Sequence, residues 1–255
     1  MRPVELALQL IELLSLNQPA GVAELARLAD VPKSTAQRTL RALEKAGWVE
    51  MLDPKHAAWS LSARAVVTGS RLTQDQANLR NLAIPVMEEL RRATEETVYL
   101  TYLYKRSIFF LERLDGIKPV RHFFAYGERT ALHATASGQA ILAAMSPEAL
   151  DAYLDRPLTS FTRATVTDAG LLRQELAAAR ERGYALTQGG NVLDAHAIAA
   201  AIRGADGAPV AALAVSMPGE RATDAVIAEF GPRVADAARR LSLSAPGLAA
   251  TTRGA

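Results

Sequence analysis

Lys33-Ser34-Thr35-Ala36-Gln37-Arg38-Thr39-Leu40-Arg41-Ala42-Leu43-Glu44-Lys45-Ala46 is the stretch on which the reading of this chain turns. At 100° per residue Ala36, Leu40 and Leu43 fall within about 280–340° of Lys33, a narrow stripe made for burial. Ser34, Gln37, Arg38, Arg41 and Lys45 fall within about 40–140°, on a face that holds no carboxylate. Gly47 supplies the left-handed residue that ends such a helix. Upstream, Val22–Ala29 predicts a short helix with Leu25, Ala26 and Ala29 inside, joined through a turn at Asp30-Val31-Pro32. Before it, Val4, Ala7, Leu8, Ile11 and Leu14 follow the i, i+3, i+4, i+7 spacing of an amphipathic helix, broken by Asn17, Pro19 and Gly21. Downstream, Trp48–Leu52 and Ala58–Leu61 predict two strands about a turn at Asp53-Pro54-Lys55-His56. A short helix, a tight turn, a polar helix and a hairpin make a winged helix-turn-helix.

That arrangement predicts contact with double-stranded DNA. Lys33, Ser34 and Thr35 at the helix N-terminus suit a phosphate. Gln37 matches adenine, Arg38 and Arg41 match guanine, Lys45 lies on the same face, and Lys55 and His56 sit at the wing tip. A merely solvated charged face is the competing reading, against which the short helix and the hairpin weigh. Bulk charge does not contribute: the chain is +2 overall, and residues 1–65 and the remainder are each +1.

Composition bounds the rest. The 255 residues are 49% hydrophobic and 22% charged, as in globular chains, and contain no cysteine, hence no disulfide, thiolate metal site or cysteine nucleophile. No apolar run reaches the ~18 residues of a membrane span, and Glu5 and Glu12 interrupt any signal-peptide core, so a cytoplasmic protein without membrane contact is expected. Nucleophile elbows, dinucleotide and Walker loops and zinc helices are absent from the sequence, and the four histidines share no ligand spacing. No catalytic residue, metal or cofactor is expected.

Residues 63–78 read as a linker helix, within a run Ala63–Gln76 followed by Leu79–Thr94, with Pro85 near a helix start or kink. Strands are expected at Thr97–Tyr104, Ile108–Arg113, Val120–Phe124, Tyr184–Gln188, Ala197–Arg203 and Pro209–Met217. Helices are expected at Thr135–Ala144, Pro147–Leu154, Ala169–Arg182 and from Thr223 to Leu241. This mixture predicts an α+β domain over residues 79–244, its sheet covered mainly on one face, with a flexible tail at 245–255. Residues 1–62 form the DNA-binding domain on this reading.

Two groups of residues carry a resemblance. The first is Val31-Pro32-Lys33-Ser34-Thr35-Ala36-Gln37-Arg38 with Leu43 through Val49. The second is Leu132-His133-Ala134-Thr135-Ala136-Ser137-Gly138-Gln139-Ala140, then Arg182-Gly183-Tyr184 and Ala211 through Ser216. From about Val4 to Leu241 the chain resembles the isocitrate-lyase-regulator (IclR) type of bacterial transcription factor. The resemblance implies a linker helix that helps dimerise, a GAF-like effector-binding domain, and homodimers or homotetramers that repress or activate a catabolic operon from operator DNA. It also implies a small organic effector, a carboxylate or an aromatic compound.

In members that take glyoxylate or pyruvate, a Gly-Ala pair faces the carboxylate; Ala136 and Ser137 stand there in this chain. Their Asp becomes Thr187, their Cys becomes Ala197, and the first of two serines becomes Ala214 while Ser216 is kept. These changes point away from a small keto acid and toward a larger or aromatic effector, with Phe123, Phe124 and Tyr126 nearby. The expected effector-binding residues are Phe123, Tyr126, Thr130, His133, Ala136, Ser137, Thr187, His196 and Ser216. The phenylalanines as plain core, and His133 as a satisfied structural histidine, compete with that assignment. The expected function is a ligand-responsive repressor. A constitutive DNA-binding protein with a C-terminal domain for assembly alone is the alternative, and an unrecognised enzyme activity there is a third.

Overall fold

The computed structural model of the protein describes residues 3–53, 58–72, 74–119, 124 and 127–244. The predicted strand at 120–124 (apart from Phe124), the wing-tip residues Lys55 and His56, and the tail at 245–255 lie outside the described residues. The chain divides into two compact units, Met1–Gln74 and Asp75–Ala255.

The first unit contains α1 (Pro3–Asn17), β1 (Ala20–Gly21), α2 (Val22–Leu28), α3 (Lys33–Lys45), β2 (Val49–Asp53), β3 (Ala58–Leu61) and α4 (Ala63–Leu72). The wing is a three-stranded antiparallel sheet in the order β1-β3-β2, and β1 was not foreseen. Gln18 ties that edge down: its Oε1 accepts from the Leu61 N–H and the Ser60 hydroxyl. Ala36, Leu40 and Leu43 are buried as the wheel predicts, against Leu25, Ala26 and Ala29 of the α2 segment and against Trp59 of the wing. Helix α1 departs from expectation. It buries Leu6, Leu10 and Leu14 and leaves Val4 and Leu8 exposed, because the helix is apolar around much of its girth and its periodicity supports more than one stripe.

The second unit contains α5 (Gln74–Thr94), β4 (Thr97–Tyr104), β5 (Ser107–Leu114), β6 (Arg129–Ala131), α6 (Ala136–Ala144), α7 (Pro147–Leu154), α8 (Ala169–Arg182), β7 (Ala185–Gln188), β8 (Ala195–Arg203), β9 (Pro209–Pro218) and α9 (Asp224–Ser244). Helix α5 begins earlier than the predicted Leu79 and carries Pro85 in its interior. Burial of Leu79, Ala83, Met87 and Leu90 along one face holds the helix through the backbone hydrogen bond that proline removes.

The sheet is antiparallel throughout, in the order β6-β5-β4-β9-β8-β7, with β9 buried along its whole length. Contrary to the expectation of one covered face, both faces are packed. Val98, Leu100, Ile198, Leu213 and Val215 meet α5 and α9, and Tyr99, Ile108, Phe110, Ala199 and Ala212 meet α6 and α8. A bulge in β5 sorts its side chains between the two faces. Glu112 pairs with Leu100 and Phe110 with Thr101, so Leu111 has no opposite number. Alternation therefore slips by one: Phe110 faces α6, while Leu111 and Glu112 turn toward α5, where Glu112 meets Arg80.

Candidate nucleic-acid interface and effector cavity

Helix α3 starts on Pro32, whose carbonyl accepts the N–H groups of Thr35 and Ala36. The N–H groups of Lys33 and Ser34 precede the first intrahelical bond and point out of the helix end, where an anion can take them. Lys33, Ser34, Gln37, Arg38, Arg41 and Lys45 are all exposed, and Thr35 is half-buried with its carbonyl accepting from the Thr39 hydroxyl.

One part of the wheel argument needs correction. Arg41 is not free of carboxylates: its Nη1 lies 2.9 Å from Glu44 Oε2, and its guanidinium sits 5.4 Å above the Trp59 ring of β3. Glu44 is three residues on, close enough on the helix for its carboxylate to swing to the basic face. The other end of α3 is held firmly. Gly47, at φ +79°, donates to the Glu44 carbonyl and Trp48 to that of Leu43, which is the Schellman pattern. Arg64 of α4 donates to the Ala46 carbonyl at 2.9 Å, and the Ser62 hydroxyl to that of Gly47. Arg64 has no place in the sequence reading, because a contact 18 residues away leaves no periodic trace.

In the second unit a small cavity lies between the sheet and the N-terminus of α6. Its volume is about 40 Å³, room for about three waters. Tyr99, Phe110 and Phe124 form one wall. Phe124 stacks on Phe110 with 4.6 Å between ring centroids and 3° between planes, and Tyr99 meets each of them edge-on. Ala197 and Ala214 floor the cavity from β8 and β9, and Ser137, Thr187, Asn191 and Ser216 add neutral polar groups. No charged side chain lines it among the described residues.

Local sequence builds this arrangement. Thr135 caps α6 by accepting the Gly138 N–H at 3.1 Å. A Cβ on Gly138 would lie 2.1 Å from the Leu132 carbonyl oxygen, so only glycine lets the helix start so close to the turn before it. The loop after β7 is pinned over the cavity by the Thr162 and Thr165 hydroxyls, which donate to the Gly189 and Gly190 carbonyls at 2.6 Å each.

Of the sequence-derived residues, Ala136, Ser137, Thr187 and Ser216 converge on this cavity. Phe123 and Tyr126 lie outside the described residues. The other three are placed elsewhere. Thr130 is buried in β6 opposite Ile108, beyond the cavity. His196 points to the opposite face of β8, against Gly219. His133 has both ring nitrogens engaged: Nδ1 lies 2.8 Å from the Tyr153 hydroxyl, and Nε2 lies 2.9 Å from the Thr159 carbonyl, to which it donates. Burial pushes its pKa down, the Thr159 carbonyl opposes that, and the Arg106 charge adds to it. Tyr99, Phe110 and Asn191 were missed. The two aromatics meet only through the bulged register of β4 and β5, which spacing alone does not reveal.

The description of the bacterial transcriptional regulator IclR C-terminal domain matches residues 72–243, and that of the IclR helix-turn-helix domain matches residues 3–53. The chain belongs to the IclR family of transcriptional regulators. It is 32% identical over 243 residues to the HTH-type transcriptional regulator BhcR of Paracoccus denitrificans, covering 95% of this chain and 86% of that one. It is 29% identical over 235 residues to the transcriptional repressor IclR of Escherichia coli, covering 91% and 85%. An IclR homologue from Microbacterium hydrocarbonoxydans, solved in complex with 4-hydroxybenzoate, superposes with a TM-score of 0.75 at 27% identity, over 95% of this chain and all of that one. The IclR members it resembles are regulators of transcription rather than enzymes, and the α+β fold with its N-terminal helix-turn-helix is theirs. Among the described residues no helix is long and apolar enough to cross a membrane.

Proposed function

We propose that the protein is an effector-responsive repressor of a catabolic operon, in the cytoplasm, reading its operator as a homodimer or homotetramer. Lys33, Ser34 and Thr35 then meet phosphates, and Gln37, Arg38 and Arg41 meet base edges. Lys45 and the wing tip, Lys55 and His56, flank them. The effector lies in the cavity between Phe124 and Ser216. The observation that carries an aromatic effector is the wall of Tyr99, Phe110 and Phe124 facing neutral polar groups, with no cation among the described lining residues to hold a small anion. The solved relative with 4-hydroxybenzoate supports the same chemistry.

A second reading has its own support. A volume of about 40 Å³ suits a molecule of a few heavy atoms, so an aromatic ring enters only if Phe124 parts from Phe110. One experiment separates the two. The full chain is used to select its operator from random duplexes, and 4-hydroxybenzoate, benzamide, pyruvate and glyoxylate are then titrated into the complex. Release by the ring compounds supports the first reading and release by the keto acids the second. An operator complex indifferent to all four favours constitutive binding. Release by a member effective only through differential affinity for free and bound states is the expected behaviour of such a switch.

A further inference from the structure

We propose that the groove between α8 and the free edge of β7 is a second ligand site, for a dipolar molecule carrying an ammonium group and an acid several atoms apart. Among the described residues strand β7 ends the sheet and pairs with β8 alone, and a cavity of about 340 Å³ runs along its other side. That size falls within the range of small-molecule pockets. Thr187 lines both this cavity and the one assigned to the effector, so the two are neighbours with one side chain between them.

Helix α8 sets the chemistry. Glu175, Ala178 and Arg182 all line the groove, and at 100° per residue they share one face within about 60°. Glu175 and Arg182 stand two turns apart, about 10 Å along the axis, with only the methyl group of Ala178 between them. Glu175 is half-buried, and among the described residues its carboxylate makes neither an ion pair nor a hydrogen bond. Burial pushes its pKa up, while the Arg182 charge pulls it down. Arg182 is anchored and not neutralised. Its Nε donates to the Tyr184 carbonyl at 2.7 Å and its guanidinium lies 5.1 Å above the Tyr184 ring, which leaves the terminal N–H groups to spare. Among the described lining residues Glu175 is the one carboxylate and Arg182 the one permanent cation. His133 also borders the groove, but its ring is already bonded to Tyr153 and Thr159.

A half-buried carboxylate has given up part of its hydration, and a bound donor replaces what it has lost. An amine alone would meet Arg182 and an acid alone would meet Glu175, so each half-ligand is disfavoured by the opposite end. A molecule with both charges satisfies both ends. The two-turn separation favours charges set well apart over the adjacent charges of an α-amino acid. The Gln188 amide also lines the groove and can bond either group.

The test is calorimetric titration of the full chain with 6-aminohexanoate, glycine, hexylamine and hexanoate. Saturable binding of 6-aminohexanoate with a Kd of about 1 mM or tighter is expected, with the other three at least about tenfold weaker. Glu175→Gln and Arg182→Gln should each weaken 6-aminohexanoate at least about tenfold. Ser216→Ala, in the effector cavity, should leave its binding unchanged, so that failure of one site is not mistaken for failure of the other. Since Glu175 makes no hydrogen bond or ion pair among the described residues and feels Arg182 only at a distance, Glu175→Gln should melt close to the parent protein without ligand, and 6-aminohexanoate should raise the melting temperature of the parent only. Absence of saturable binding by 6-aminohexanoate at about 10 mM, or equal binding by Glu175→Gln, overturns the proposal.

Discussion

Removing the Phe124 ring tests the effector cavity most directly. Its main chain is fixed independently of its side chain. The N–H donates to the Tyr99 hydroxyl at 3.3 Å and the carbonyl accepts from Arg113 at 3.2 Å, so Phe124→Ala should empty space and leave the backbone in place. Buried Phe→Ala changes cost about 3–5 kcal/mol. The lower end applies here, because the residue keeps 8% exposure and lies near the surface, where neighbours can relax. A loss of about 3 kcal/mol in a unit of this size lowers the melting temperature by about 6–12 °C. The void left by the ring, on the order of 100 Å³, opens onto the existing cavity and approaches the size that takes up benzene in other proteins.

A ring compound should then fill the place of the lost phenyl. At about 100 times its Kd it contributes about 2.7 kcal/mol, nearly the whole loss. Thermal melts of the variant with and without 4-hydroxybenzoate and benzamide read this out. Melting within about 2 °C of the parent would mean that the ring bears little load. A destabilised variant that neither compound restores would refute the assignment of this cavity to a ring-bearing effector.

Two other expectations concern the reading helix and pH. Arg38→Ala should cost about 1–3 kcal/mol in affinity for the selected operator and relax its preference at one base pair; unaltered affinity and preference in a gel-shift titration would remove Arg38 from the base contacts. His133 has its folded pKa depressed below the ordinary 6.5, so the unfolded chain takes up the proton first as the solution is acidified. The contribution of His133 is therefore complete above about pH 6.5 and is lost as pH falls through its folded value. Urea midpoints should decline over that range in the parent and decline less in His133→Gln; parallel declines would show that other groups dominate.

How far the sequence could be read depended on the kind of contact. Helix α3 was legible because its burial stripe, its basic face and its Gly47 cap are all local, and local periodicity survives in the chain as written. The exposed face of α1 was not, because an almost wholly apolar helix gives the same pattern for several orientations. Ala136, Ser137, Thr187 and Ser216 reached the cavity through family resemblance, not through any property of their spacing. His196 failed because one step along a strand reverses the face, and His133 because its partners, Tyr153 and Thr159, lie 20 and 26 residues away. Arg41 shows the same limit in a short interval: the helical wheel places Cα atoms, whereas Glu44 reaches by its side chain.

The unopposed Leu111 in β5 has a consequence for how this protein tolerates change in length. Losing this residue would leave Glu112 opposite Leu100 and Phe110 opposite Thr101, now neighbours on opposite faces, so the aromatic wall and the ion pair with Arg80 would both keep their places. A second deletion in the strand has no such slack: everything on one side of the gap would change faces. The strand therefore carries one spare letter, which chains descended from this one can drop more safely than any of its neighbours.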